Sequence, residues 1–310
     1  PITKSTNPSC GRRTAGSGFN GWRPSGVTLP PASIFEGTDE IIARALELKS
    51  RDDLKHKSVC LRLSKLAEPP SSIAGLVSDL YTQVQNNWSG RIPSQENWRL
   101  ERQTYIGSTN DSPEVLLERT ISILADRGFI NDWYSQIPVA SGLIDGHANK
   151  RTAVDLLRHH KDQTNLIELK WESDTPLYAA TEILRYGLAY LLAFSNKDRM
   201  GYADKVLLKV ENVALQVLAP STYFRRYELG WLARELNEQL QAFSGEKTEN
   251  RLEMTFQFLA FPEEFNFPFE QGDQVLSLWN QSEDSTIIQT LISAIRNIEP
   301  VWVSQEGSSK

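Results

Sequence analysis

Cysteine is nearly missing from this chain. Of 310 residues only Cys10 and Cys60 carry thiols, far too few for a zinc cluster or a disulfide-built scaffold. Both read as ordinary reduced thiols. Long apolar runs are missing too. The longest, 187–194, is much shorter than the ~20 residues that cross a bilayer. No stretch reads as a signal peptide, so the expectation is a cytoplasmic protein with no membrane partner. There is no Gly-x-x-x-x-Gly-Lys-Ser/Thr phosphate loop and no Gly-x-Ser-x-Gly nucleophile elbow. Gly11 and Gly16-Ser17-Gly18 sit in a polar segment with no strand before them, which removes a dinucleotide-binding reading. No internal repeat is visible. Excess positive charge is also missing. A net charge of −6 argues against a protein that coats nucleic acid, although a cleft can be locally basic on an acidic body.

What is present is the composition of a globular domain, with helical and strand patterns mixed, so the class is α/β or α+β. Residues 1–33 are rich in Gly, Pro, Ser and Thr and carry Lys4, Arg12, Arg13 and Arg23 without an acid. They read as an extended or disordered basic arm, either following a nucleic acid backbone or serving as a simple tail. Residues 34–109 read as a helical region, with helices over Asp39–Lys49 and Ile73–Gln85. The stretch from Asn97 to Arg102 leads into a core at 110–265. Residues 266–310 read as a C-terminal helical extension, with helices over Asp273–Trp279 and Thr286–Ile298.

The most informative segment is Ala153-Val154-Asp155-Leu156-Leu157, a polar break, and then Leu166-Ile167-Glu168-Leu169-Lys170-Trp171. Two apolar runs of strand length suggest strands buried on both faces, and charge is rarely placed there unless paired or bound to metal. Alternation along a strand puts Glu168 and Lys170 on one face. In a hairpin Asp155 reaches that same face. Two carboxylates and an ammonium at one point make a divalent-metal site with a water-activating lysine beside it. A second Glu-x-Lys, Glu47-Leu48-Lys49, follows a helical pattern from Ile41 to Leu46. Residues two apart on a helix point about 200° apart, so that copy reads as a solvated helix face.

Asp155 with Glu168-Leu169-Lys170 resembles the PD-(D/E)xK nuclease superfamily, over roughly residues 112–220. The resemblance implies a restriction-endonuclease-like core: a helix, a three-stranded meander, a second helix and a further strand, in a mixed sheet with N- and C-terminal helical additions. The sequence offers each part in order. Pro113–Arg127 is the first helix, with Ser112 as cap, Pro113 in the first position and Gly128 at the stop. Ser135–Leu143, Thr152–Leu157 and Asn165–Trp171 are the meander, with a turn over Asp145–Lys150. Leu177–Phe194 is the second helix and Ala214–Leu218 a following strand, with Lys205–Val210 as another. A helix runs from Ser221 to about Phe243, and Leu252–Ala260 alternates as a half-buried strand. The family often has proline before its first acid; Val154 stands there in this chain.

The resemblance implies a Mg²⁺-dependent endonuclease (Mn²⁺ substituting) acting on nucleic acid, with DNA as the expected substrate. Asp155, Glu168 and the Leu169 carbonyl would hold the metal. Lys170 would position water, since a lysine near carboxylates stays charged. Glu118 looks like the family's first-helix acid, or else an exposed helix charge. Glu182 and Tyr186 on the second helix are candidate auxiliary groups, and Arg225, Arg226 and Arg234 candidate phosphate contacts. Glu182 and Arg185 are spaced for a helical i,i+3 ion pair. His159 and His160 fall in the hairpin turn. The rival expectation is a catalytically inactive nuclease-fold subunit of a larger complex. Phage defence, mobile-element biology and repair all fit the nuclease reading, as do a homodimer and a partner protein of a multi-component system.

Overall fold

The computed structural model describes residues 31–144 and 152–302. Most of the basic arm, with Cys10, and the turn expected over Asp145–Lys150 lie outside the described residues. Helices α1 (Thr38–Ala45), α2 (Lys57–Leu63) and α3 (Leu76–Asn87) come first. Helix α1 stops before Glu47, which turns left-handed at φ 52°, while the Leu48 N–H returns to the Ala43 carbonyl at 2.8 Å. The second Glu-x-Lys is therefore in a turn rather than on the expected helix. Both of its charges are exposed.

Helix α4 (Pro113–Asp126) has Pro113 in its first turn, and Gly128 follows it at φ 77°. Ser112 holds the cap position, but its hydroxyl makes no capping bond. Strands β1 (Trp133–Pro138), β2 (Ala153–His160) and β3 (Gln163–Leu169) follow. Strand β1 ends earlier than expected, at Pro138, which has no N–H to give a ladder. Strand β2 runs longer than expected. His159 and His160 belong to it rather than to the turn, because their rings find partners beside the strand. His159 Nδ1 is 3.0 Å from Thr164 Oγ1 and His160 Nδ1 is 2.9 Å from Asp132 Oδ2.

Helix α5 (Pro176–Ser195) is capped by Thr175, whose Oγ1 accepts the Tyr178 N–H at 3.2 Å. The strand expected over Lys205–Val210 is instead a 3₁₀ turn at Val206–Lys209 with Leu207 and Leu208 both buried. So short an apolar run has no period to separate helix from strand. After β4 (Asn212–Pro220), the single long helix expected from Ser221 is two: α6 (Ser221–Phe224) and α7 (Gly230–Thr248). The break lets Phe224 dock edge-on against Phe258, ring centroids 5.9 Å apart. Strand β5 (Glu253–Phe261) and helices α8 (Gly272–Ser277) and α9 (Thr286–Arg296) complete the expected elements, and a two-residue strand β6 (Glu299–Pro300) was not foreseen.

Among the described residues there is one six-stranded mixed sheet in the order β1-β2-β3-β4-β5-β6. The meander β1-β2-β3 is antiparallel, β4 and β5 add in parallel, and β6 closes antiparallel. The protein is thus α/β. One sheet face packs Leu157, Leu166, Leu215 and Val217 under Leu184, Leu188 and Leu191 of α5. The other packs Leu156, Ile167, Leu169 and Leu218 under Leu117, Ile121 and Leu124 of α4 and Ile288, Leu291 and Ile292 of α9. Both hairpin strands are buried on two sides, as their continuous apolar runs imply. Among the described residues no helix is long and apolar enough to cross a membrane.

Helix α5 can approach the sheet because of Gly187. A Cβ there would lie 2.7 Å from Leu215 Cδ2, inside a packed core. Gly187→Ala should therefore lower unfolding stability by roughly 1–3 kcal/mol through overpacking, against alanine's helical advantage. Urea denaturation measures it; a stabilised variant would show that the helix has room to move.

Candidate active site

The hairpin register fixes the first step. Leu156 pairs with Ile167, so one further residue places Asp155 opposite Glu168, on the face that carries Leu157 and Leu166. Lys170 follows at the end of β3, its backbone N–H still held by the Leu218 carbonyl at 2.9 Å. Asp155 Oδ2 accepts the Leu169 N–H at 3.1 Å, which ties the acid to the Glu-x-Lys segment. Lys170 Nζ lies 2.8 Å from Glu168 Oε1 and 2.9 Å from Glu182 Oε2. Only 5% of Glu168 and 7% of Lys170 is exposed, whereas such residues are almost never buried unless paired. Asp155 is half-buried.

Helix α4 adds Glu118, also 5% exposed. It is an interior acid rather than an exposed helix charge. Its carboxylate pairs with Arg119 and accepts the Gln136 side-chain amide at 3.1 Å. Gln136 stands in β1 with φ 55°, a left-handed backbone that costs on the order of 1–3 kcal/mol and clusters at functional sites. Glu114, a turn earlier on α4, accepts the Trp171 N–H at 2.9 Å and the Ser173 hydroxyl at 2.5 Å, which clamps the chain just after Lys170.

The electrostatics follow from too many acids around one ammonium. Burial pushes Glu118 up to about 7, against the pull of Arg119. Burial also raises Asp155 to about 6, against the pull of Lys170. Glu168 is driven well above the usual carboxylate range by burial and then by Asp155. Burial alone would lower Lys170, but Glu168 and Glu182 outweigh it and the ammonium is held on. The Tyr186 phenol is pushed up by burial and then by Glu168, Glu182 and Asp155, so Tyr186 stands within their field.

The structure therefore gathers Asp155, Glu168, Lys170, Glu182, Tyr186 and Glu118 into one region. The helical pair expected between Glu182 and Arg185 does not form. Lys170 takes Glu182, and Arg185 reaches across to Asp39 of α1. Arg225 is exposed and paired with Glu263 at 2.7 Å. Arg226 lines a recess of about 460 Å³ with Lys57, Trp171 and Tyr223, while Arg234 lies in a separate recess with Asn237 and Gln241. Sequence reading missed Glu114, Arg119 and Gln136. Arg119 had a signal in its adjacency to Glu118, whereas the left-handed turn at Gln136 had none. Among the described residues no three His, Cys, Asp or Glu side chains form a ready-made metal-ligating group.

Fold and site together define an α/β protein with a buried carboxylate–lysine cluster at the end of a central strand. No protein-family model, curated protein or solved structure matches the chain.

The raised acids make the folded state the better proton binder over the interval between their ordinary and folded pKa values. Stability contributed by Glu118 is therefore present below about pH 4.5, falls as pH rises towards about 7, and is flat above. Asp155 acts in the same direction up to about 6. Glu118→Gln should flatten this dependence and raise stability at pH 8 relative to wild type, on the order of 3 kcal/mol at most. Urea denaturation at pH 5 and pH 8 in chelator checks it; equal pH slopes for the two proteins would contradict a buried, protonatable Glu118.

Proposed function

We propose that the protein is a metal-dependent nuclease of the PD-(D/E)xK type, hydrolysing phosphodiester bonds of nucleic acid, with DNA the first substrate to test. The observation that carries this reading is the charge imbalance. Lys170 pairs with buried Glu168 and with Glu182, and Asp155 adds a further acid within its field, where unpaired charge is costly. A divalent cation would relieve it. The donors are all oxygens, which suits Mg²⁺ or Mn²⁺. The order of elements, helix α4, meander β1-β2-β3, helix α5 and parallel strand β4, agrees with a restriction-endonuclease-like core.

Asp155 and Glu168, with the Leu169 carbonyl, would hold the cation. When bound, the metal supplies Lewis-acid stabilisation of phosphate charge and a more acidic bound water. Lys170 keeps its proton, so it donates a hydrogen bond that orients the attacking water and does not act as general base. Glu182 fixes that ammonium from helix α5. Glu118, held by Gln136 and Arg119, carries a carboxyl near neutrality that can take up a proton close to Asp155. Arg226, in the recess beside Trp171, would contact a flanking phosphate.

A rival reading, a nuclease-fold scaffold or recognition subunit without catalysis, draws on one observation. The double ion pair of Lys170 is complete without any substrate. Incubation with plasmid, single strands and RNA in Mg²⁺, Mn²⁺ or EDTA separates the two. The nuclease reading expects cleavage abolished by EDTA and reduced ~10²-fold or more in Asp155→Ala, Glu168→Ala and Lys170→Ala. Cleavage unaffected in all three variants would remove the site assignment. Intact substrates under every condition would favour the scaffold.

A further inference from the structure

The sheet face opposite the carboxylate cluster is covered only in part by α4 and α9. Beyond their edge lies a recess of about 240 Å³ lined by residues of all six strands. Its floor is built by register: Arg158 stands opposite Asn165, Ile167 opposite Gln216, and Gln216 opposite Gln257. Trp133 and Arg158 pair on β1 and β2, with the guanidinium 6.0 Å from the indole ring centre. Arg296, in the last turn of α9, completes the wall.

Gln216 is only 4% exposed, yet among the described residues neither its carboxamide nor that of Gln257 has a hydrogen-bond partner. Both amides face the recess, Gln216 from a buried position and Gln257 from a half-buried one, which leaves hydrogen-bonding capacity there for a ligand. No acidic side chain lines the recess, and neither Arg158 nor Arg296 has an ion-pair partner among the described residues. Two free guanidiniums select an anion with phosphate-like oxygens. Carboxamides offer donors and acceptors together, the match for the edge of a nitrogen heterocycle. Trp133, Ile167 and Leu218 offer flat apolar surface for its ring.

We propose that this recess is a second binding site, for a nucleotide. The base would meet Gln216 and Gln257, and the phosphate would meet Arg158 and Arg296. The site is distinct from the carboxylate cluster and stands whatever that cluster does.

Isothermal titration calorimetry of the whole chain in EDTA tests it, with AMP, GMP, CMP and UMP, the four nucleosides and orthophosphate. At least one nucleotide should bind tenfold or more tightly than its nucleoside and than orthophosphate. Arg158→Gln and Gln216→Met should each weaken that nucleotide at least tenfold while circular dichroism stays native. If Gln216→Met does not fold, Gln257→Met, at a half-buried position, reads the same contact. A 5′-phosphorylated trinucleotide distinguishes the source. Tighter binding through the same residues places the end of a strand in the recess, and weaker binding places a free mononucleotide there. No nucleotide binding at millimolar concentration, orthophosphate binding as tight as any nucleotide, or folded variants of unchanged affinity would overturn the proposal.

Discussion

One ammonium lets the centre of this sheet carry carboxylates at all. Lys170, itself buried, stands between Glu168 from its own strand and Glu182 from helix α5, and Asp155 reaches the same segment through the Leu169 N–H. Taking such charges out of water is expensive, and breaking a buried pair strands its partner, at ~3–5 kcal/mol. The pairing therefore joins three elements at one point: the β2–β3 hairpin supplies Asp155, Glu168 and Lys170, and α5 supplies Glu182. Helix α5 can lie close enough because Gly187 has no side chain over Leu215. Structure and chemistry thus share one constraint: the contacts that seat the helix also hold the lysine.

The cluster remains negative after that pairing. Glu118 and Asp155 are pushed up to about 7 and about 6, first by burial, and their neighbours Arg119, Gln136 and the Leu169 amide only partly oppose it. Acids perturbed in this way by burial cluster at functional sites. The opposite sheet face shows the complementary character: around the Gln216–Gln257 row are guanidiniums and amides without ion-pair or hydrogen-bond partners among the described residues, and no acid lines the recess. One sheet thus carries a buried acidic cluster on one side and a basic, hydrogen-bonding recess on the other.

Much of this was legible in the residues because burial on two faces leaves a strong mark. Apolar runs interrupted by Asp155 and Glu168 announced both the hairpin and the anomaly within it, α4 carried a proline start, and both α4 and α5 showed helical apolar spacing. Where the signal was short or distant, reading failed. Val206–Lys209 is too brief to show a period and became a 3₁₀ turn. The break between α6 and α7 has no glycine or proline inside it and is set by the docking of Phe224 on Phe258. Arg185 left its helical neighbour for Asp39, a partner 146 positions away that no local rule can reach. Gln136 owes its place at Glu118 to a left-handed φ that a strand pattern hides.

The most direct test of the central claim is anomalous diffraction from crystals grown with Mn²⁺. A peak at the Asp155 and Glu168 carboxylates, with Lys170 still between Glu168 and Glu182, is the expected result. An ordered, natively folded site without a peak, or a peak bound elsewhere, would contradict a catalytic metal centre on this hairpin.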